Sequence, residues 1–129
     1  MIGNEDRDDI RIVLVIEDDV HIGGLVGQVL REAGYRPEVV RDVGAARELA
    51  SQGLRPAAML SDLMIAGSAG PEHLRAEVAA LFPGVPLTLM TGVPPKRRAI
   101  MGVDDDHILE KPFELEALLD AVRAMIGAK

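Results

Sequence analysis

The chain has 129 residues, 48% of them hydrophobic, which suits one domain with a real core and leaves no room for two. Aromatic residues make up only 2% (Tyr35, Phe82 and Phe113), so that core has to be aliphatic. The net charge of −7 gives no electrostatic footprint for a nucleic-acid backbone, and the lack of cysteine excludes disulfides, thiol catalysis and cysteine-ligated metals. His21, His73 and His107 are scattered without metal-ligand spacing. No apolar run approaches the roughly 18 residues of a membrane span, and the acidic, polar start is unlike a signal peptide. A soluble, cytoplasmic, single-domain protein is expected, with a frayed polar tail over 1–9 and the folded domain over 10–129.

Ile10–Ile16 (IRIVLVI) is a β-branched run that reads as a strand buried on both faces, and it ends in Glu17, Asp18 and Asp19. Ile22, Leu25, Val26, Val29 and Leu30 then follow helical spacing over Val20–Gly34, with Asp19 as the cap and Gly34 as the stop. Pro37–Val40 reads as a second strand and Val43–Ser51 as a helix. Ala57–Leu60 is a third strand running into Ser61 and Asp62, and the composition of Ala66–Pro71 makes it a loop. Glu72–Phe82 returns to helical spacing, and Pro86–Met90 is a fourth strand leading to Thr91. After Pro94 and Pro95 a short helix is expected near Lys96–Met101, followed by a solvated loop at Asp104–Asp106. His107–Leu109 is a fifth strand before Lys111 and Pro112, and Glu114–Ile126 closes the chain as an amphipathic helix. The methionines Met59, Met64, Met90, Met101 and Met125 read mostly as core fillers, and His73 and His107 as surface or packing residues.

Strand and helix alternate five times, which favours a parallel sheet with right-handed crossovers and helices on both faces. In such sheets the site lies beyond the carboxyl ends of the strands. Those ends carry Glu17 and Asp18, then Asp62, then Thr91, then Lys111. Three carboxylates raise one another's pKa, and a hard divalent cation such as Mg²⁺ resolves the conflict with oxygen ligands. Lys111 can bind one phosphoryl oxygen and the Thr91 hydroxyl another, leaving Asp62 as a nucleophile able to form an aspartyl phosphate. Electrostatic positioning would carry such a transfer.

Four motifs, VLVIEDD (Val13–Asp19), SDLMIAGSAGPEHL (Ser61–Leu74), PLTLMTG (Pro86–Gly92) and ILEKPF (Ile108–Phe113), together resemble the receiver domain of two-component response regulators over about Ile10–Ile126. The resemblance implies a flavodoxin-like doubly wound (βα)5 fold with strand order 2-1-3-4-5. It implies a phosphoacceptor at Asp62, a switch hydroxyl at Thr91 and a phosphate-binding Lys111 before a cis peptide bond to Pro112. It implies Mg²⁺ held by Glu17, Asp18, Asp62 and the backbone carbonyl of Met64. A histidine kinase or histidine phosphotransfer protein would donate the phosphoryl group. Output would pass to a downstream protein target, with no direct nucleic-acid or membrane contact and no catalysis beyond the domain's own phosphorylation and dephosphorylation. Both a stand-alone receiver and the receiver of a hybrid histidine kinase fit.

Three features depart from the family pattern. An aromatic residue often stands where Ile108 does, the Thr91–Lys111 spacing of 20 positions is short, and Gly23, Gly24 and Gly27 weaken the first helix. The first two keep open a second reading, a degenerate receiver that acts as a phosphorylation-independent interaction module, against which the intact acids, Thr91 and Lys111 argue. A haloacid-dehalogenase-type phosphatase would need an aspartate where Met64 stands. Neither GxGxxG nor GxxxxGK[ST] occurs to support nucleotide binding.

Overall fold

The structure, a computed structural model, describes residues 11–103 and 107–127. The expectations for the tail over 1–9 and for Asp104–Asp106 lie outside the described residues. Ten elements alternate: β1 (Ile12–Ile16), α1 (Val20–Glu32), β2 (Arg36–Val40), α2 (Val43–Ser51), β3 (Ala58–Asp62), α3 (Pro71–Leu81), β4 (Leu87–Thr91), α4 (Pro95–Ile100), β5 (Ile108–Glu110) and α5 (Leu115–Ile126). The five strands form one parallel sheet in the order β2-β1-β3-β4-β5. That is the doubly wound fold expected, with the order reversing direction beside β1.

The period of two along each central strand splits the core into two layers. Leu14, Ile16, Met59, Leu87 and Leu89 pack with Val43, Ala46, Leu74 and Val78, the buried residues of α2 and α3. Val13, Val15, Leu60, Met90 and Leu109 pack on the other side with Val26, Leu30, Leu118 and Val122 of α1 and α5. Among the described residues Phe82 is the one buried aromatic, with Tyr35 and Phe113 partly buried against the second layer, in keeping with the scarcity of aromatics.

The helix ends follow local chemistry. Asp19 caps α1 by accepting hydrogen bonds from the N–H groups of His21 (2.9 Å) and Ile22 (3.1 Å). Asp42 caps α2 through the Ala45 N–H at 2.7 Å. At the far end of α1, Gly34 has φ of 97°; its N–H reaches the Arg31 carbonyl and the Tyr35 N–H reaches that of Leu30. This paired closure requires a left-handed residue, which is why glycine stops the helix. Gly102 closes α4 in the same way, leaving that helix only six residues long.

The strand ends differ from the sequence expectation in one respect that bears on function. β3 runs to Asp62 and β4 to Thr91, because Asp62 pairs with Met90 and Thr91 with Glu110. The polar residues therefore belong to the sheet itself and inherit its rigidity. β5 starts one residue late, since His107 takes φ of 55° and leaves the extended region. Met64 is corrected as a core filler: Met59 and Met90 are fully buried, but Met64 follows the end of β3 and is 57% exposed.

The glycines of α1 divide by position. A Cβ on Gly23 would lie 3.1 Å from Val39 Cγ1, and one on Gly27 3.3 Å from Val39 Cγ2, so these two let α1 approach the chain's own β2. Gly24 is exposed with open space around it. Gly24→Ala should therefore stabilise the fold by about 1 kcal/mol through helix propensity, while Gly23→Ala should show no gain. Urea denaturation of the two variants reads the difference, and equal gains would contradict the packing account.

Candidate functional site

β1 and β3 lie side by side at the centre of the sheet and deliver Glu17 and Asp62 to its carboxyl edge. Glu17 and Asp62 are buried, and Asp18 between β1 and α1 is exposed. One carboxylate oxygen from each of Glu17, Asp18 and Asp62 lies within 4.8 Å of the others. Lys111, just past β5, closes the group. Its Nζ donates to Glu17 Oε1 at 3.0 Å and to Asp62 Oδ1 at 2.6 Å. The second Glu17 oxygen accepts from the Asp19 N–H at 3.0 Å, and the Glu17 N–H donates to the Val40 carbonyl. The peptide bond between Lys111 and Pro112 is cis, as expected.

Burial pushes the Asp62 carboxyl up, the neighbouring Glu17 carboxylate adds to this, and Lys111 offsets part of it, leaving a pKa of about 7. Burial also acts upward on Glu17, but hydrogen bonds from Asp62, the Asp19 N–H and Lys111 outweigh it, so its pKa falls below the usual carboxylate value. The two carboxyls titrate as a coupled pair, with Asp62 raised and Glu17 lowered. Burial works against the Lys111 ammonium, yet Asp62 and Glu17 raise its pKa above that of an ordinary lysine. Three acids and one lysine leave a surplus of negative charge in a half-closed site. Its donors are all oxygens, the ligand set of a hard divalent cation.

Thr91 stands at the end of β4 beside this group and is buried. Its carbonyl accepts from the Lys111 N–H at 2.7 Å, and its hydroxyl oxygen accepts from the Val93 N–H at 3.0 Å. Met64 lies two positions past Asp62, in the turn leaving β3, with its side chain toward solvent. The site residues expected from sequence thus fall at one end of the sheet, with Glu17, Asp18, Asp62 and Lys111 in one cluster and Thr91 joined to it through the Lys111 backbone.

Three residues around the site escape a sequence reading. Arg98 of α4 is 3% exposed and donates to the Val93 carbonyl at 2.6 Å and to Glu110 Oε2 at 3.3 Å. Glu77 of α3 pins the loop after β3, accepting from Ser68 Oγ and the Ala69 N–H, both at 2.9 Å. Ser61, fully buried, donates from its hydroxyl to the Asp62 carbonyl at 2.9 Å. Nothing in the sequence separates Arg98 and Glu77 from their solvated neighbours.

Among known proteins, the chain matches the response regulator receiver domain family over residues 13–123. It is 32% identical over 117 residues to the DNA-binding response regulator MtrA of Mycolicibacterium paratuberculosis, covering 88% of this chain and 50% of that protein. It is 36% identical over 122 residues to the C4-dicarboxylate transport transcriptional regulatory protein DctD of Pseudomonas aeruginosa, covering 91% of this chain and 25% of that protein. The chain thus spans half the length of the first relative and a quarter of the second. The receiver domain of the sensor histidine kinase PA1611 from Pseudomonas aeruginosa, solved with a magnesium ion coordinated in its active-site cleft, superposes with a TM-score of 0.77 at 22% identity. That match covers 92% of this chain and 99% of the other. The fold, the carboxylate cluster with its lysine and the match over 13–123 lead to one assignment: the chain belongs to the response regulator receiver domain family.

Proposed function

We propose that Asp62 accepts a phosphoryl group from a phosphohistidine donor in a Mg²⁺-dependent transfer, and that the chain is a phosphorylation-controlled signalling switch. The observation that carries the reading is the buried Asp62 carboxylate, held 2.6 Å from Lys111 Nζ within a set of three acids. A structural ion pair needs one acid; this cluster gathers three, and only oxygen donors. The oxygen set fits Mg²⁺, held by Glu17, Asp18, Asp62 and the backbone carbonyl of Met64. Bound there, the ion would supply the charge that favours ionised Asp62 and neutralises phosphoryl oxygens.

The remaining steps fall to the chain's own groups. An ionised Asp62 oxygen attacks phosphorus in line as the P–N bond to the donor imidazole breaks, and the imidazole nitrogen departs with the bonding pair. The Lys111 ammonium turns from the carboxylates to a phosphoryl oxygen, and the Thr91 hydroxyl donates to another. The new contacts bias the equilibrium between two arrangements of the β4–α4 and β5–α5 segments, and a partner reads the difference. The donor is a histidine kinase or a histidine phosphotransfer protein. The target is a protein rather than nucleic acid, in keeping with the net charge of −7. No described helix is long and apolar enough to cross a membrane, and we place the protein in the cytoplasm. It catalyses only its own phosphorylation and dephosphorylation.

The site of modification tests the reading. After incubation with phosphoramidate and Mg²⁺, borohydride reduction converts an aspartyl phosphate to homoserine. Peptide mapping should find that change at residue 62. Finding homoserine at Asp18, the longer 5-hydroxynorvaline at Glu17, or no reduced residue at all would contradict the assignment.

A further inference from the structure

We propose that Arg98 is a positioning residue for Thr91, holding the loop after β4 in a resting form that must be released before Thr91 can serve a phosphoryl group on Asp62. A closed ring of contacts carries the proposal, which rests on the phosphoacceptor reading above. The Thr91 hydroxyl oxygen accepts from the Val93 N–H at 3.0 Å. The Val93 carbonyl, on the same residue, accepts from the Arg98 guanidinium at 2.6 Å. The same guanidinium nitrogen reaches Glu110 Oε2 at 3.3 Å. Glu110 pairs with Thr91 across β4 and β5, and the next residue, Lys111, donates its N–H to the Thr91 carbonyl at 2.7 Å. Arg98 thereby ties the hydroxyl's partner, Val93, to the strand that carries Lys111.

The placement of Arg98 makes the tie consequential. Its side chain is 3% exposed, so its charge is withdrawn from water and its partners matter more than those of a surface arginine. Its backbone also frames α4: the Arg98 N–H donates to the Pro94 carbonyl, and the Arg98 carbonyl accepts from the Val103 N–H. Rotating α4 or moving Val93 therefore strains the same guanidinium contacts. The Val93 N–H fixes the Thr91 hydroxyl oxygen against the loop, with its own hydrogen still available to donate, while Glu17 and Asp62 are paired with Lys111, so carrying that oxygen toward a phosphoryl group on Asp62 means moving the loop that Arg98 holds. Release of Arg98 and recruitment of Thr91 are therefore one transition, and the resting form reduces apparent affinity for a phosphoryl group by the fraction of molecules it holds.

The test is a titration of the full chain with beryllofluoride in the presence of Mg²⁺, followed by ¹H–¹⁵N resonances of Leu63, Val93 and Ala99. In the wild-type chain all three should shift together. Arg98→Met keeps an apolar stem but removes the contacts. It should bind the mimic at least about fivefold more tightly, with Val93 and Ala99 already displaced before titration. Glu110→Gln, on a largely exposed side chain, should show a smaller change in the same direction and serves where Arg98→Met does not fold. A merely structural role for Arg98 would weaken binding or leave it unchanged. Either result, with Ala99 still shifting as in wild type, would overturn the proposal. No shift at Leu63 in the wild-type chain would instead overturn the phosphoacceptor reading, and this proposal with it.

Discussion

Asp62→Asn should lose all phosphoryl acceptance and, in metal-free buffer, gain stability. The amide offers no carboxylate nucleophile, so the adduct disappears. The stability gain follows from the proton on Asp62. Burial and Glu17 push its pKa up to about 7 in the fold, well above the ordinary aspartate range. A folded-state pKa above the unfolded one means that the fold binds more protons through that window, so stability falls as pH rises from about 4 to 7. Above that window the wild-type chain carries the full cost of a buried, crowded carboxylate, and Asn removes it. The gain should be on the order of 2 kcal/mol near pH 8, after allowing for the lost Lys111 contact, and should vanish below about pH 4. Urea unfolding across this pH range checks the sign and the window. A variant less stable than wild type at pH 8, or a gain independent of pH, would contradict the placement of the proton.

Lys111→Ala should act in the opposite direction. The ammonium lies 3.0 Å from Glu17 and 2.6 Å from Asp62, with under a quarter of its side chain exposed. Its pKa is raised in the fold, so its contribution is intact at neutral pH and is lost only above the lysine range. Removing one partner of a buried pair costs about 3–5 kcal/mol. Proton uptake by Asp62 softens this to about 2–3 kcal/mol near pH 7. The acids remain, so Mg²⁺ should still raise the melting temperature, while phosphorylation no longer shifts the Thr91 region. Combining Lys111→Ala with Asp62→Asn should recover much of the lost stability, because the neutral amide at position 62 has no charge for the cation to offset. A double variant as unstable as the sum of the single changes would contradict this coupling, and a Lys111→Ala chain that responds normally would remove Lys111 from the phosphoryl-binding role.

The strands and long helices were legible in sequence because each is dictated by a period and a boundary residue. The short β-branched run IVLVI reads as a strand buried on both faces and forms β1, and Asp19, Asp42 and Gly34 mark helix ends by local hydrogen bonding. The convergence of Glu17, Asp18, Asp62 and Lys111 was also legible, since a parallel sheet places strand ends together whatever the side chains. What stayed hidden was which face a residue takes where no period operates. PKRRAI has no apolar stripe, so nothing in it separates the buried Arg98, which reaches the Val93 carbonyl and Glu110, from solvated Lys96 and Arg97. The role of Gly23 and Gly27 depended in the same way on which strand lay beneath α1, and Val39 supplies the answer. Met64 looked like core by type and proved exposed because it leaves the sheet directly after β3.

Whether Asp62 is a phosphoacceptor is read from intact-protein mass after incubation with acetyl phosphate. Wild type and Asp62→Asn are compared with and without Mg²⁺. The account predicts a single hydroxylamine-labile phosphoryl adduct on the wild-type chain, dependent on Mg²⁺ and absent from Asp62→Asn. An adduct of equal yield on Asp62→Asn, or one indifferent to Mg²⁺, would contradict it.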